Sequence, residues 1–197
     1  MLREGGMISI KHALDKMIAA TLLIMLSPVM LIIAVLVALD GGTCIYSHHR
    51  IGRKGVPFYC YKFRTMNRII TLSPEQQAQL KRDGKLRDDP RVTRIGLFLR
   101  RTSLDELPQL YNVLRGDMSM VGPRPVTAEE LQLYTTDHYI SVRPGITGLA
   151  QVSGRSNLTY EERIRLDTQY VNELSLRNDL VIMLRTFTAV FTSRGAY

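Results

Sequence analysis

Residues 17–39 read MIAATLLIMLSPVMLIIAVLVAL, a run of 23 residues without a charged side chain. At a rise of about 1.5 Å per residue, a straight helix of this length would cover a bilayer hydrocarbon core of about 30 Å. A cleaved signal peptide would have a shorter apolar region and a small-residue cleavage site. This run instead leads through residues 40–42 into a basic segment. We therefore expect an N-terminal tail with a retained membrane helix, residues 1–40, and a cytosolic domain, residues 41–197.

The middle of this helix contains Ser27-Pro28. Proline removes one helical hydrogen bond and clashes with the preceding turn, so we expect a kink close to the bilayer centre. Residues 41–70 contain six Lys and Arg and no Asp or Glu, which places that flank in the cytosol. The other flank carries Lys and Arg as well as acids: Arg3, Glu4, Lys11, Asp15 and Lys16. A spanning helix and a helix that re-enters and returns to the same face fit these residues equally well.

Composition narrows the classes of partner. The chain has 197 residues, 45% of them hydrophobic, which is enough for one core and an anchor. The net charge of +8 and the pI near 9.7 indicate an anionic partner, which could be nucleic acid, an anionic bilayer or a phosphorylated substrate. Cys44 and Cys60 are too few for a disulfide framework or a Cys-rich metal site, so a reducing compartment is the default.

The segments after the membrane helix predict an α+β fold. Cys44–Arg50 and Val56–Phe63 flank a turn, residues 52–55, and the second segment alternates as a strand would, so we expect a β-hairpin near the membrane. We expect a polar helix that begins at Ser73-Pro74-Glu75 and ends in a loop at Asp83-Gly84-Lys85. The cytosolic domain is otherwise predicted to be compact and mainly helical.

Two adjacent carboxylates, Asp105 and Glu106, follow a basic run that ends at Arg100 and Arg101. One interpretation is a capping box, in which Ser103 caps a helix and Glu106 reaches back to it. This helix would bury one apolar face and end at Gly116. The other interpretation is phosphate chemistry beside a cationic surface. Asp105 should then be ionised, because a helix N-terminus and neighbouring Arg both favour the charged form.

Two Pro- and Gly-rich turns hold arginines. Arg124 lies between Pro123 and Pro125, and each proline fixes its own φ and restricts its predecessor. A rigid Arg suits an anion, although a structural loop is an equal alternative. The segment 143–148, RPGITG, would let backbone N–H groups approach an anion, but it lacks the spacing of a Walker loop.

The last helical segment is amphipathic. From Asp179 onward, apolar residues fall on one face: Leu180, Met183, Leu184, Phe187, Val190 and Phe191. Such a face can cover a core or lie in the bilayer interface. We favour the core interpretation slightly, because most amphipathic helices cover a core.

Several blocks together resemble a known family. They are residues 61–66 (YKFRTM), 89–93 (DPRVT), 100–110 (RRTSLDELPQL), 116–125 (GDMSMVGPRP), 143–148 (RPGITG) and 151–155 (QVSGR). In this order they resemble the bacterial sugar transferases, the small monotopic phosphoglycosyl transferases that start glycan assembly on polyprenyl phosphate. The resemblance extends over nearly the whole chain, from the anchor to about residue 194.

The resemblance implies a reaction. Family members transfer a sugar 1-phosphate from a UDP-sugar to undecaprenyl phosphate, release UMP and use Mg²⁺. Asp105 matches the family's nucleophile, which forms a covalent phospho-sugar intermediate, and Glu106 matches the carboxylate that helps to hold the metal. The Ser27-Pro28 break matches the feature that makes the family's membrane helix re-entrant. The expected location is the cytosolic face of the bacterial inner membrane, with interfacial amphipathic helices on the lipid.

Further residues are candidates for binding phosphate, nucleotide or lipid phosphate: Lys62, Arg64, Arg100, Arg124, Arg143, Gln151 and Arg155. Asp167 also matches a family position, but a buried salt bridge would explain it equally well. Leu149 stands where some relatives carry Trp, which puts the sugar and nucleotide contacts of that loop in doubt. The sugar is open, with UDP-galactose or UDP-glucose as first expectations, and so are the glycan pathway (exopolysaccharide, capsule, O-antigen or glycoprotein) and homo-oligomer formation.

The alternative function is a membrane-tethered basic protein that binds nucleic acid or anionic lipid without catalysis. Residues 41–104 contain fourteen Lys and Arg against four acids, as such a protein would need. However, the chain has no nucleic-acid-binding motif, and the Asp105-Glu106 pair would weaken phosphate binding unless a metal intervened. We therefore expect membrane lipid and the two substrates as partners, and no nucleic acid.

Overall fold

A computed structural model describes residues 2–67, 70–83, 86, 89–134, 137–154 and 158–191. The protein mixes helices and small sheets, as predicted. Its helices are α1 (Leu2–Leu39), α2 (Pro74–Asp83), α3 (Arg94–Thr102), α4 (Gln109–Arg115), α5 (Ala128–Leu131), α6 (His138–Ser141), α7 (Leu149–Ser153), α8 (Tyr160–Asn172) and α9 (Leu176–Phe191). Its strands are β1 (Ile45–Ile51), β2 (Pro57–Phe63), β3 (Ser119–Val121) and β4 (Gly145–Thr147).

The predicted β-hairpin is present. Strands β1 and β2 pair antiparallel, with Ile45 opposite Phe63 and Ile51 opposite Pro57. The alternation of β2 buries Phe58 and Cys60 and turns the side chain of Tyr59, which lies between them, outward. The predicted start of α2 is also confirmed, since the Ser73 hydroxyl accepts a hydrogen bond from the Gln76 N–H. Gly84 and Lys85 of the loop predicted after it lie outside the described residues.

A second small sheet was not predicted. Strands β3 and β4 pair parallel, with Ser119 opposite Gly145 and Val121 opposite Thr147. Each strand has only three residues, so neither shows a sequence period that would reveal it. This pairing joins the two Pro- and Gly-rich turns, residues 121–125 and 143–148, side by side.

Helix α1 contains the apolar segment expected to enter the membrane. Among the described residues, one helix, Gly6–Leu39, is long and apolar enough to cross a bilayer, and 11% of its most apolar stretch is buried. The large apolar side chains of this helix are mostly exposed, including Ile24 at 75% and Met25 at 68%. Helix α1 continues through Pro28 without an interruption. The Ser27 hydroxyl donates to the Ile24 carbonyl at 2.8 Å, which is the acceptor that the missing Pro28 N–H would have used.

Both halves of α1 pack on the rest of the protein. Ala19 joins a core with buried residues of β2, α4 and β3. Ile33 and Val37 join a second core with Phe63 and Leu99. Leu107 packs against both cores, so the segment that carries the two carboxylates lies between the halves of α1.

Two of the charged residues near the start of α1, Lys11 and Asp15, are buried rather than exposed flank charges, whereas Lys16 is exposed. The Lys11 ammonium lies 2.7 Å from Asp179 of α9 and 3.5 Å from Asp15, and it donates to the Val121 carbonyl at 3.1 Å. The Asp15 carboxylate accepts from the Ser119 hydroxyl at 2.5 Å. This network attaches α1 to the elements that carry the turn at residues 121–125.

The preference for a core role of the last helix is wrong for most of its predicted apolar face, of which Met183 packs against the core. Leu180, Leu184 and Phe187 of α9 are 54%, 59% and 65% exposed. The face of α9 that is buried instead carries Asp179 and Ile182. The side chains of Val190 and Phe191 lie outside the described residues. The exposed apolar face fits the alternative interpretation, a helix in the bilayer interface.

Candidate functional site

Asp105 and Glu106 lie in a tight turn between two helices. Helix α3 ends at Thr102, and Ser103 follows with φ of 58°, a left-handed conformation that reverses the chain. Residues 104–106 form a single turn of 3-10 helix before α4 begins at Gln109. The predicted capping box is wrong, because Ser103 makes no side-chain capping bond and serves as the C-cap of α3. The predicted end at Gly116 is confirmed, since Gly116 has φ of 91° and its N–H caps α4.

Glu106 forms an ion pair instead of a cap. Its Oε1 lies 2.5 Å from the ammonium of Lys62 on β2, and both side chains are about one third exposed. The pair is a charge-assisted hydrogen bond between an ammonium and a carboxylate. Lys62 shares the inner face of β2 with Phe58 and Cys60, because residues two apart on a strand point the same way. The strand therefore places one cation directly against the turn that carries both carboxylates.

Asp105 is nearly buried, with 8% of its surface exposed. Burial raises the pKa of Asp105 to about 6, while the charges of Lys62 and Arg100 oppose this rise and that of Glu106 adds to it. Asp105 is therefore mostly ionised at pH 7. The neighbouring arginine expected from the sequence is Arg100, and Lys62 adds a second cation; Asp105 itself lies in a 3-10 turn and not at the N-terminus of an α-helix. The Arg100 Nε donates to the Thr65 hydroxyl at 2.9 Å, which fixes this cation beside Asp105.

A small cleft opens to solvent beside the Lys62–Glu106 pair. Four of the predicted site residues line it: Lys62, Glu106, Arg124 and Gln151. Asp105 precedes Glu106 in the chain but does not itself line the cleft. The Gln151 Oε1 is buried and accepts no hydrogen bond from the described residues.

Two polar residues of the cleft were missed. Arg50 on β1 lines it and forms a 2.9 Å ion pair with Glu130. Gln109 also lines it and is only 2% exposed. Gln109 could have been found from its spacing, since residues three apart in a helical turn share a face and Gln109 is three after Glu106.

Some predicted residues have other positions. Arg64 is buried, and its guanidinium donates to the carbonyls of Val37 and Thr43 at 2.8 and 2.9 Å. It therefore covers the C-terminal end of α1 and is removed from the substrate-binding set. Arg143 lines a different cleft, described below. Arg155 lies outside the described residues.

The glycines of the turn at 143–148 serve close packing, which corrects the expectation that their N–H groups approach an anion. The Gly145 N–H donates to the Pro123 carbonyl at 2.8 Å, and the Gly122 N–H donates to Thr147 at 2.9 Å. A Cβ on Gly145 would lie 2.1 Å from the Gly122 nitrogen, so only glycine fits there. The contact fixes the backbone that presents Arg124.

Asp167 is buried next to the same turn. Its Oδ2 accepts a 2.7 Å hydrogen bond from the Tyr134 hydroxyl, and the described residues offer it no salt bridge of the kind considered from the sequence. Burial raises the pKa of Asp167 to about 6, against the lowering effects of Tyr134, Arg163 and Arg124. Asp167 does not line the cleft and instead supports the segment that carries Arg124.

Comparison with known proteins gives consistent matches. Residues 7–193 match the family described as bacterial sugar transferase. The chain is 44% identical over 198 residues to the undecaprenyl-phosphate galactose phosphotransferase of Salmonella typhimurium, covering 95% of this chain and 42% of that protein. It is 46% identical over 204 residues to the exopolysaccharide production protein ExoY of Rhizobium meliloti, covering 98% and 89%. It is 39% identical to the UDP-glucose:undecaprenyl-phosphate glucose-1-phosphate transferase of Escherichia coli, covering 95% and 41%. The chain thus spans about two fifths of the Salmonella and Escherichia relatives and most of the Rhizobium one.

Proposed function

Because the chain belongs to the bacterial sugar transferase family, we propose that it transfers a sugar 1-phosphate from a UDP-sugar to undecaprenyl phosphate and releases UMP. The observation that carries this proposal is the cleft in which the Lys62–Glu106 pair lies next to the nearly buried Asp105. Two relatives add support, since their names state transfer of galactose or glucose phosphate to undecaprenyl phosphate.

The proposed reaction has two displacements at one phosphorus. An Asp105 carboxylate oxygen forms a bond to the sugar-linked phosphorus, and the bond from that phosphorus to the bridging oxygen breaks. UMP leaves with the bonding electron pair, and an acyl-phosphate links the sugar phosphate to Asp105. An oxygen of the lipid phosphate then attacks the same phosphorus and releases the carboxylate. Two anionic substrates therefore never have to meet directly.

Cations of the site would stabilise the charge that moves during these steps. Lys62 and Arg124 line the cleft, where they can contact the phosphoryl oxygens of the donor. Arg100 is fixed beside Asp105 by Thr65 and keeps this carboxylate ionised. Arg50 adds a further cation to the lining of the cleft and forms an ion pair with Glu130. Fixed cations of this kind lower the barrier because they need no reorganisation as charge develops.

Mg²⁺ is part of the proposal. Mg²⁺ commonly uses one or two carboxylates, with phosphate oxygens and waters as the other ligands. Glu106 fits this requirement because its carboxylate lines the cleft. Among the described residues, no group of three or more His, Cys, Asp or Glu could hold a metal, so the ligand set would include the donor's pyrophosphate. The bound ion would supply neutralisation of phosphate charge.

The membrane helix is proposed to be re-entrant at the cytosolic face of the inner membrane. Lys11 contacts Asp179 and Val121, and the Val37 carbonyl accepts from Arg64, so both ends of the apolar helix contact one protein body. A straight helix from residue 11 to residue 37 would be about 39 Å long, more than a hydrocarbon core of about 30 Å. A spanning path would separate these contacts across the bilayer. A path that enters and returns at Ser27-Pro28 would keep them on one side.

The test is UMP release by the full chain with undecaprenyl phosphate, Mg²⁺ and a panel of UDP-sugars that includes UDP-galactose and UDP-glucose. One donor should give multiple-turnover release that requires the acceptor, since without acceptor the enzyme can release only about one UMP as the phospho-sugar forms on Asp105. This result would also identify the sugar. Asp105→Asn should lower the rate at least about a thousandfold because the nucleophile is lost. Asp137→Asn is the matched control, since Asp137 is exposed and caps nothing with its side chain. No release with any donor, together with salt-sensitive nucleic-acid binding, would contradict the proposal.

A further inference from the structure

A second cleft lies behind the turn at residues 121–125. It is shallow and is lined by the start of α1, the hairpin turn and the segment before β4. Val121 lines this cleft, whereas Arg124 and Pro125 line the first one. The two clefts have no lining residue in common. They are therefore separate spaces on either side of one turn.

Cations line the second cleft, and no Asp or Glu is among its described lining residues. Arg53, Arg143 and His12 line it together with Lys11. Burial and the neighbouring cations Arg143, Arg53, Lys11 and Lys16 lower the pKa of His12 to about 4, so His12 is neutral at pH 7 and the cleft's charges are those of the two arginines and Lys11. Two like charges held close in a partly enclosed space repel each other more strongly than they would in water.

The nearby acids are already engaged. Asp179 and Asp15 are used by Lys11, and Asp117 forms a 3.3 Å ion pair with Arg115. The Arg53 Nε donates to the Ser141 carbonyl at 3.1 Å, which uses one of its five N–H groups. Among the described residues, Arg143 forms no ion pair, and burial together with Arg53 lowers its pKa. The two guanidinium groups therefore leave several donors for an anion.

The position of this cleft relative to the membrane indicates the kind of anion. The apolar run begins at Met17, and His12 precedes it by five residues, or about 7.5 Å along a helix. The headgroup layer outside the hydrocarbon core is about 5 to 7 Å thick on each side. His12 and the arginines that face it thus lie at the depth of lipid phosphates, on either path of α1. Paired arginines suit phosphate because their planar forks bind two oxygens at once.

We infer that Arg53 and Arg143 form a binding site for the phosphate of a membrane lipid, separate from the cleft beside Asp105. The site would hold the start of α1 at a fixed depth in the headgroup layer. Two lipids present the same group: an anionic phospholipid such as phosphatidylglycerol, and the polyprenyl phosphate. With phosphatidylglycerol as the ligand, the inference stands independently of the proposed reaction, because the residues of this cleft do not line the cleft beside Asp105. With polyprenyl phosphate as the ligand, it rests on the proposed reaction.

The test is lipid binding by the full chain in a non-ionic detergent, measured by native mass spectrometry. Phosphatidylglycerol, undecaprenyl phosphate and inorganic phosphate are titrated separately onto the wild type and the Arg53→Gln/Arg143→Gln variant. The wild type should bind one of the two lipids about tenfold or more tightly than the variant does, since charge-assisted hydrogen bonds to phosphate are lost. The lipid that shows this difference is the source of the phosphate.

The matched control is Lys54→Gln/Arg177→Gln, which removes the same net charge from two exposed residues outside the cleft. It should bind lipid as the wild type does. If Arg143→Gln does not fold, Arg53→Gln alone provides the test, because Arg53 lies in a surface turn. Equal lipid binding by the wild type and the folded variant would overturn the inference. An effect on inorganic phosphate alone would also overturn it.

Discussion

Replacing Lys11 by Met tests the buried network that attaches the membrane helix to the rest of the protein. Lys11 is 5% exposed and is the cation for two carboxylates, Asp179 at 2.7 Å and Asp15 at 3.5 Å. Removing it leaves both acids, 4% and 6% exposed, without that charge. Breaking a buried ion pair in this way costs about 3 to 5 kcal/mol. We expect a loss of about 4 kcal/mol in the free energy of unfolding.

The converse substitution should cost less. Asp179→Asn leaves Lys11 with Asp15 and the Val121 carbonyl, so we expect about half the loss, or about 2 kcal/mol. Lys16→Met is the control because Lys16 is exposed, and it should change stability by less than about 0.5 kcal/mol.

Thermal unfolding in detergent, followed by circular dichroism, measures these differences. For a chain of this size, 1 kcal/mol shifts the midpoint by about 2 to 4 °C, so Lys11→Met should lower it by about 8 to 16 °C. The midpoint of Asp179→Asn should lie between those of Lys11→Met and the wild type. A Lys11→Met shift no larger than that of Lys16→Met would refute the argument. So would a larger loss for Asp179→Asn than for Lys11→Met.

Three further substitutions test the site and its support. Glu106→Gln should raise the Mg²⁺ concentration needed for half-maximal UMP release about tenfold or more, because a hard anionic ligand is lost; an unchanged Mg²⁺ dependence would exclude Glu106 as a ligand. Asp167 has a folded pKa of about 6 against 3.8, so its ionisation destabilises the fold as pH rises through this range, by about 3 kcal/mol in all. Asp167→Asn should therefore be more stable than the wild type at pH 8 and similar to it at pH 4, and the opposite order in thermal melts would contradict this. Gly96→Ala would place a Cβ 2.1 Å from the Thr65 carbonyl oxygen, so it should cost about 1 to 3 kcal/mol and displace Arg100; an unchanged melting midpoint and rate would refute it.

Features that depend on neighbouring residues could be predicted from the sequence. The long apolar helix α1 and the β-hairpin follow from a long apolar run and from period-two alternation. The Gly116 end of α4 follows from the need for a left-handed residue at a C-cap. By contrast, β3 and β4 are three-residue strands that pair across more than twenty residues of chain, and no local pattern encodes that pairing.

The errors arose where distant contacts override a local motif. The segment 103–106 has the sequence of a capping box, but the Glu106 carboxylate forms an ion pair with Lys62, and Ser103 is the C-cap of the preceding helix. Lys11 has the sequence position of a flank charge, but its partner Asp179 is 168 residues away. Lys62 on β2 lines the cleft, whereas Arg64, just after the end of β2, covers the C-terminal end of α1. Only the placement of α1 distinguishes these two roles.

The candidate site was predicted in part because its residues occur in compact motifs. The structure brings Lys62, Glu106, Arg124 and Gln151 to one cleft, with Asp105 next to it. Arg50 and Gln109 were missed because each has an ordinary structural explanation in the sequence, as a strand residue and as the first residue of a helix. The contribution of Arg50 becomes visible only when β1, β2 and α4 are packed together, whereas the helical spacing of Gln109 from Glu106 already indicated a shared face.

Trapping of the phospho-sugar on Asp105 tests the central claim most directly. The full chain is incubated with Mg²⁺ and a UDP-sugar radiolabelled in the phosphate next to the sugar, without acceptor, and is then quenched and separated from free donor. The label should remain on the wild type, be absent from Asp105→Asn, and leave the wild type when undecaprenyl phosphate is added before the quench. A wild type that turns over but retains no label, or an Asp105→Asn variant that retains it, would contradict the covalent mechanism.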